Sequence, residues 1–257
     1  MLGQAGVVST PLRGRVKVEP GAKRVRGLVH GQYVFDTDNA LLVWEVPYYP
    51  AYYIPTKDVS AELIETGETK HSPSRGDATI CDLRVGEQTV RGAGYAYSES
   101  PIADLPGHVR FEWNAIDEWF EEDEQIYQHP RSPYVRVDVL PSSRHVQVEI
   151  DAVIVADSHQ PRILFETGLP PRYYLPKCDV RMDLLTASKA HTQCPYKGTA
   201  SYYDLDINGK HYTDHVWWYP APVPESQRII GLLCFYNEKV QLIIDGERVE
   251  QPRTPFS

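Results

Sequence analysis

The sequence has only four cysteines in 257 residues, and no two of them form a C-x-x-C pair. A tetrahedral zinc site needs closely spaced cysteine or histidine ligands, so we expect no bound metal and no cofactor. In a large acidic chain, such scattered cysteines are typical of reduced thiols in a cytoplasm rather than of a disulfide framework. The four are Cys81, Cys178, Cys194 and Cys234.

The chain also lacks a basic excess and a long apolar run, and its opening residues do not predict a secretory leader. Its formal net charge is −9, whereas a nucleic-acid backbone binder needs a basic face to displace counterions. No window approaches the roughly 18 apolar residues that span a bilayer. The opening residues M-L-G-Q-A-G-V-V-S-T-P contain no charged region followed by an apolar one. We therefore expect a cytoplasmic protein with no nucleic-acid or membrane partner, and the oligomeric state stays open.

The strongest positive feature is an internal repeat. Identical residues recur at a spacing of 121, namely Asp36 and Asp157 (157 − 36 = 121), Glu45 and Glu166, Tyr53 and Tyr174, and Asp58 and Asp179. The segment Y-Y-I-P-T-K-D-V likewise recurs as Y-Y-L-P-K-C-D-V. A period this long predicts duplicated domains, because solenoid repeats run about 20–50 residues. We place the domains at residues 13–124 and 134–250, joined by a linker at 125–133.

Within each copy the hydrophobic pattern is mostly that of strands. Apolar and polar residues alternate at 135–139 and 146–150, as in half-buried strands, and Asn208-Gly209 predicts a tight hairpin. Further strands are predicted at 153–156, 162–166, 229–236 and 240–244. After Pro176, the apolar spacing predicts a short helix capped by Asp179, with Asp58 as its counterpart. The prediction is an all-β protein with about eight strands and one short helix in each copy.

The main chemical candidate is the turn Cys194-Pro195-Tyr196-Lys197-Gly198. A thiolate is the nucleophilic form of cysteine, which Lys197 would stabilise and for which His191 would serve as the base. Lys197 would alternatively hold an anionic substrate group. The competing interpretation is a small buried apolar cysteine and a surface lysine.

The first copy has a counterpart of this turn, Ser72-Pro73-Ser74-Arg75-Gly76. Proline and glycine are retained there, while the thiol, the phenol and the ammonium are replaced. Retained turn residues with altered chemistry predict one working site and one scaffold copy.

Two carboxylates form the second candidate group. Glu166 lies in the otherwise apolar run I-L-F-E-T, where burial would suit it to proton transfer. The alternative is a structural carboxylate that accepts backbone N–H groups or pairs with Arg172. Because the first copy also keeps this residue, as Glu45, the structural interpretation is favoured. Asp157 is a candidate ligand-binding residue at a strand end.

Aromatic residues form the third group of candidates. Alternation along the strand sends Trp217 and Tyr219 to one face and Trp218 to the other. One face would be core and the other would line a pocket, although aromatics in this pattern are more often core. The candidate ligand-binding residues are Tyr174, Tyr196, Trp217, Tyr219, Asp157 and Arg172.

Several motifs of the second copy resemble the bacterial family called domain of unknown function 427. They are V-A-D-S, R-Y-Y-L-P-x-x-D-V, T-x-C-P-Y-K-G-T-A-S-Y-Y, W-W-Y-P-x-P and F-Y-N-x-K-V-x-L-I-I-D-G. The first copy matches more loosely. The resemblance implies a compact β domain of the β-tent type, with two antiparallel sheets leaning together. Relatives of that architecture often hold zinc through paired C-x-x-C motifs, which this chain lacks.

We therefore predict an enzyme that acts on a small polar or anionic metabolite through Cys194, Lys197 and Glu166. A non-catalytic module that binds a small ligand or a peptide is the alternative. The family is also filed under a nucleotidyltransferase label. The sequence shows neither a P-loop nor paired carboxylates after a Gly-Ser turn, so that third function is the weakest.

Overall fold

The computed structural model describes residues 16–254, which divide into two compact units between Ser132 and Pro133. Residues 13–15 of the predicted first domain lie outside the described residues. The opening segment M-L-G-Q-A-G-V-V-S-T-P, on which the prediction about a secretory leader rests, also lies outside them. Within residues 16–254, no helix has the length and apolar character needed to cross a membrane.

The first unit consists of two antiparallel sheets. Its described strands are β1 (Lys17–Pro20), β2 (Val25–Val29), β3 (Gln32–Thr37), β4 (Leu41–Trp44), β5 (Ala51–Pro55), β6 (Glu62–Ser72), β7 (Gly76–Val85), β8 (Gln88–Tyr97), β9 (His108–Phe111), β10 (Glu118–Glu121) and β11 (Glu124–Ile126). Short 3₁₀ helices lie at Thr56–Asp58 and Trp113–Ala115. The strand orders are β1-β4-β5-β9-β8-β7-β6 and β3-β2-β10-β11.

The second unit repeats this arrangement. Its described strands are β12 (Val137–Pro141), β13 (Val146–Ile150), β14 (Val153–Ser158), β15 (Arg162–Glu166), β16 (Arg172–Leu175), β17 (Leu185–Cys194), β18 (Gly198–Ile207), β19 (Lys210–Trp218), β20 (Leu233–Phe235), β21 (Gln241–Ile244) and β22 (Glu247–Val249). Its 3₁₀ helices are Lys177–Asp179, Met182–Leu184 and Pro224–Ile229. The strand orders are β12-β15-β16-β20-β19-β18-β17 and β14-β13-β21-β22. Every strand of the first unit thus corresponds to the strand numbered eleven higher, which confirms the tandem repeat and the all-β class.

The inner strands of each seven-stranded sheet are buried on both faces. Because neighbouring residues in a strand point to opposite faces, Leu175 packs in the cluster shared with the four-stranded sheet, whereas Tyr174 packs on the opposite face. In the first unit, Ile54 and Tyr53 divide in the same way. On the second face of unit 2, Ile229 from a 3₁₀ helix joins the sheet residues. This second face carries the candidate site.

The segment after Pro176 is helical only in 3₁₀ turns and does not form the short continuous helix that was predicted. The chain forms two single 3₁₀ turns there, and Leu185 already begins β17, an edge strand that is largely exposed. Nor do the aspartates cap a helix: Asp179 accepts a hydrogen bond from the Ser158 hydroxyl at 2.6 Å, and Asp58 accepts one from Thr37 at 2.6 Å. The helix-like spacing arose because an exposed edge strand needs no regular apolar alternation.

Several predicted boundaries also change. The described part of each unit has eleven strands rather than about eight. The predicted strand at 229–236 shrinks to β20, because the chain before it turns through a 3₁₀ helix. The stretch predicted as the linker begins inside β11, which pairs with β10. The hairpin at Asn208-Gly209 is confirmed, with φ angles of 50° and 77° joining β18 and β19.

Candidate functional site

The Cys194–Gly198 turn closes the long hairpin formed by β17 and β18. Cys194 and Gly198 are register partners, and the Lys197 N–H donates to the Cys194 carbonyl at 3.3 Å. Pro195 stands at the second position of this four-residue turn, where its fixed φ is favourable. Gly198 has a φ of 97°, a value that L-residues with a side chain rarely adopt.

The backbone of this turn is also held from outside the hairpin. The Val223 N–H donates to the Lys197 carbonyl at 3.2 Å, and the Ser226 hydroxyl donates to the Tyr196 carbonyl at 2.9 Å. Both donors belong to the proline-rich segment and the 3₁₀ helix that follow β19. These hydrogen bonds therefore hold in place the backbone from which the Lys197 side chain extends.

The Lys197 ammonium is in direct contact with the Glu166 carboxylate at the end of β15. The two side chains are only 13% and 10% exposed, so the ion pair is almost entirely buried. Three strands separate β15 from β18, which in a flat sheet would place them about 19 Å apart. The contact thus requires the sheet to curl around this face. Irregularities in the β17–β18 and β18–β19 registers supply local bends of the kind that β-bulges produce.

Lys197 keeps its positive charge in this buried position. Burial by itself would lower the pKa of Lys197, but the neighbouring Cys194 and Glu166 side chains outweigh it and raise the pKa above its usual value. The Cys194 side chain therefore lies close enough to Lys197 to interact with it electrostatically. A charged ammonium has no free electron pair, so Lys197 suits an electrostatic role and not a covalent one.

Aromatic residues surround this ion pair on the same face. Tyr174 is fully buried, and its hydroxyl accepts a hydrogen bond from the Trp217 indole at 3.1 Å. Burial, reinforced by nearby thiol and phenol groups, raises the pKa of Tyr174 and of Tyr219 well above the usual value. Both phenols therefore stay neutral at neutral pH and are available as hydrogen-bonding groups.

Two of the predicted site residues, His191 and Asp157, lie elsewhere, whereas Arg172 lies on this face with its guanidinium 5.6 Å from the centroid of the Trp217 ring. His191 is exposed on β17, and its Nδ1 lies 3.4 Å from the Ser201 hydroxyl; it stands three residues from Cys194, an odd strand separation that points to the opposite face. Arg172 forms a bidentate ion pair with Glu238 at 2.7 and 2.6 Å and is therefore not the partner of Glu166. Asp157 belongs to the four-stranded sheet. Tyr196 is half-buried within the turn.

The first unit keeps the charged contact but not the thiol. Glu45 accepts a hydrogen bond from the Tyr53 hydroxyl at 2.7 Å, and the guanidinium groups of Arg75 and Arg110 approach its carboxylate at 3.7 and 3.5 Å. Arg75 also donates to the Tyr97 hydroxyl at 3.3 Å. A carboxylate, a cation and a tyrosine therefore meet in both copies, and the thiol is peculiar to the second.

Cys234 is buried beside Tyr174, a position that was not predicted from the sequence. Burial raises the pKa of the Cys234 thiol well above its usual value, so this cysteine is an apolar packing group. By strand register, Trp217 pairs with Cys234 just as Tyr95 pairs with Arg110, so Arg110 fills this place in the first copy. No identity links these two positions, and the repeat spacing alone did not reveal them.

Two surface clefts lie away from these residues. One, of about 430 Å³ in the first unit, is lined by Asn39, Pro55, Thr56, Lys57, Gly107 and His108. The other, of about 100 Å³ in the second unit, is lined chiefly by Pro170, Pro171, Tyr173, Asn237 and Leu242. Neither cleft is lined by Cys194, Lys197 or Glu166.

Two segments of the chain, residues 17–122 and 138–246, match the model of one family, described as a domain of unknown function (DUF427). The chain belongs to this family. Each match falls on one of the two structural units, so the family domain occurs twice in tandem. No curated protein matches the chain. The Cys194 turn, the Glu166 strand and the Trp217 strand all lie in the second DUF427 segment.

Proposed function

We propose that the second DUF427 unit is a cysteine-dependent enzyme that acts on a small polar or anionic metabolite in the cytoplasm. The observation that carries the proposal is the nearly buried Lys197–Glu166 ion pair at the Cys194 turn, where Lys197 also interacts electrostatically with Cys194. An ammonium beside a sulfur stabilises the thiolate, which is the nucleophilic form. The half-buried Cys194 remains partly open to solvent.

The three side chains take separate roles in this proposal. The Cys194 sulfur attacks an electrophilic carbonyl carbon, a carbon–sulfur bond forms, and an electron pair of the C=O bond moves onto the oxygen. The Lys197 ammonium offsets the negative charge that develops there. Glu166 is a positioning residue that holds the ammonium in place.

A non-catalytic ligand-binding module is the second candidate. It is favoured by the first copy, where the carboxylate, the cation and the tyrosine meet without any thiol. On this alternative the ion pair stabilises the curled sheet, and Cys194 is a packing residue. Thiol reactivity distinguishes the two functions.

The test measures the rate of iodoacetamide alkylation at Cys194 against pH, with mass spectrometry assigning the modified residue. Cys178 is the internal control, because it is exposed and its thiol lies beside the Asp179 carboxylate instead of a cation. At neutral pH we expect Cys194 to be alkylated faster than Cys178, although Cys178 is the more exposed thiol. The variant Glu166→Gln/Lys197→Met removes both charges together, which avoids leaving one of them buried and unpaired.

In this double variant, alkylation of Cys194 at neutral pH should fall about tenfold while Cys178 is unchanged. Equal profiles for the two wild-type thiols, or a Cys194 rate that does not depend on Lys197, would overturn the enzyme proposal and leave the binding module.

A further inference from the structure

A second group of polar side chains lies on the outer face of the four-stranded sheet of unit 2, away from the Cys194 turn. Asp157 is bound there by the His145 Nε2 at 2.7 Å and by the Gln147 side-chain amide at 2.8 Å. The His145 and His159 rings are stacked, with centroids 4.0 Å apart. One ligand atom from each of His145, Asp157 and His159 lies within 4.8 Å of the others.

Strand register explains why these residues meet. Gln147 is the direct partner of Asp157 across β13 and β14, and Val146 is the partner of Ser158. The next step along both strands brings His145 opposite His159, at the short distance typical of cross-strand pairs. Val146 and Ser158 point into the core and are fully buried, so their neighbours on both sides point outward.

The first copy supplies its own cation at this place. At the same spacing of 121, Arg24 stands for His145, Arg26 for Gln147, and Asp38 for His159. Arg24 forms an ion pair with Asp36, the counterpart of Asp157, and this pair lowers the pKa of Asp36. The second copy has His145 and Gln147 in place of the two arginines and has gained a second imidazole, His159.

We propose that His145, Asp157 and His159 bind a zinc-class divalent cation, which replaces the fixed arginine charge of the first copy. Two imidazole nitrogens and one carboxylate are a donor set that Zn²⁺ accepts, with a fourth position left for water or a ligand. Gln147 orients the second oxygen of the carboxylate, as outer-shell partners of metal ligands do.

Metal binding requires the His145 Nε2 atom to present its lone pair to the ion instead of hydrogen-bonding Asp157. Zinc ligands stand about 3.3 Å apart when each bond is about 2 Å. The Nε2 and Oδ1 atoms, now at 2.7 Å, must therefore separate by under 1 Å. His145 and Asp157 are exposed over 30% and 51% of their side chains, which allows this movement and leaves the ion open to solvent.

The test is calorimetric titration of the full-length chain with zinc chloride, repeated with cobalt(II) to record its visible absorption. We expect one equivalent to bind in unit 2 with a cobalt spectrum free of the thiolate charge-transfer band. Either His159→Ala or the double exchange His145→Arg/His159→Asp should abolish this binding. The double exchange copies the residues of the first unit, where the fold accepts them, so its melting temperature should remain close to that of the wild type.

Three controls sharpen the result. His211 is also flanked by carboxylates, with ring nitrogens 2.8 Å from Asp206 and 3.7 Å from Asp204, and His211→Ala should bind the metal like the wild type. Gln147→Ala should weaken binding about tenfold. In the opposite direction, Arg24→His/Asp38→His should create a second equivalent in unit 1.

Absence of binding to the wild-type chain would overturn the proposal. Binding that survives both His159→Ala and the double exchange, or that shows the thiolate band, would place the metal elsewhere and overturn it equally.

Discussion

At the scale of single residues, the described part of unit 2 contains two largely buried cations, Lys197 and Arg172, and each is paired with its own carboxylate. Lys197 contacts Glu166, and Arg172 forms a bidentate pair with Glu238, whose side chain is 1% exposed. Pairing with Arg172 was one alternative predicted for Glu166, and the structure gives the two residues different partners. Removing one member of a buried ion pair leaves an uncompensated buried charge. The resulting loss of stability is larger than the net stabilisation that the intact pair provides.

The Glu238 pair predicts a loss of stability in acid. Burial by itself would raise the pKa of Glu238, but hydrogen bonds from Arg172 and Thr254 lower it to about 2. Because this folded-state pKa lies below the unfolded value, the stabilisation is present above about pH 4.5 and is lost as the pH falls toward 2.

Glu238→Gln should therefore lower the free energy of unfolding by about 3 kcal/mol at neutral pH, and the difference from the wild type should shrink below pH 4.5. Urea unfolding at a series of pH values measures this. Glu149, which pairs with Arg248 at the surface, is the matched control: Glu149→Gln should cost under about 1 kcal/mol. A Glu238 effect independent of pH would contradict the assignment.

At the scale of elements, the β17–β18 hairpin turn positions the site, and Gly198 is its most constrained residue. Gly198 has a positive φ, and a Cβ built on it would lie 3.2 Å from the Ala221 carbonyl oxygen. Gly209, in the next hairpin turn, also has a positive φ but has nothing within 4 Å of a built Cβ. Comparing alanine variants of the two glycines therefore separates the cost of the left-handed backbone from the cost of crowding around an added Cβ.

Both Gly→Ala variants should lose about 1–2 kcal/mol to the left-handed backbone. Gly198→Ala should lose about 1 kcal/mol more, because the contact is with backbone that cannot move aside easily. It should also slow alkylation of Cys194, whereas Gly209→Ala should not. Denaturant unfolding together with the alkylation assay checks this, and equal losses at the two positions would show that the turn is not crowded.

The elements also show what sequence patterns can and cannot predict. The Asn208-Gly209 hairpin and the strands on either side were predictable, because turn chemistry and alternation are local. Edge strand β17 was not, since both of its faces are largely exposed and no apolar alternation marks it. The Lys197–Glu166 contact joins residues 31 positions apart and depends on the curl of the sheet, which no local pattern specifies. His145 and His159 were missed because only the strand register brings them together.

At the scale of the whole molecule, duplication is the feature that organises the chain. The internal repeat predicted duplicated domains, and the eleven described strands of each unit have the same order in their sheets. Two of the differences in chemistry between the copies concern the proposed sites. The second copy has a thiol and a lysine where the first has Ser72 and Arg75, and it has imidazoles where the first has Arg24 and Asp38.

We propose that the Cys194 turn carries reactive side chains on a scaffold common to both copies. The most direct test is thermal unfolding of Cys194→Ser/Tyr196→Ser/Lys197→Arg, which gives the second copy the turn of the first. Arg75 already makes the corresponding contact with Glu45 in the first copy, so the scaffold should accept the change. We predict a cost under about 1.5 kcal/mol and a melting temperature within about 5 °C of the wild type. A larger fall, or loss of cooperative unfolding, would show that the turn is structural and would contradict the claim.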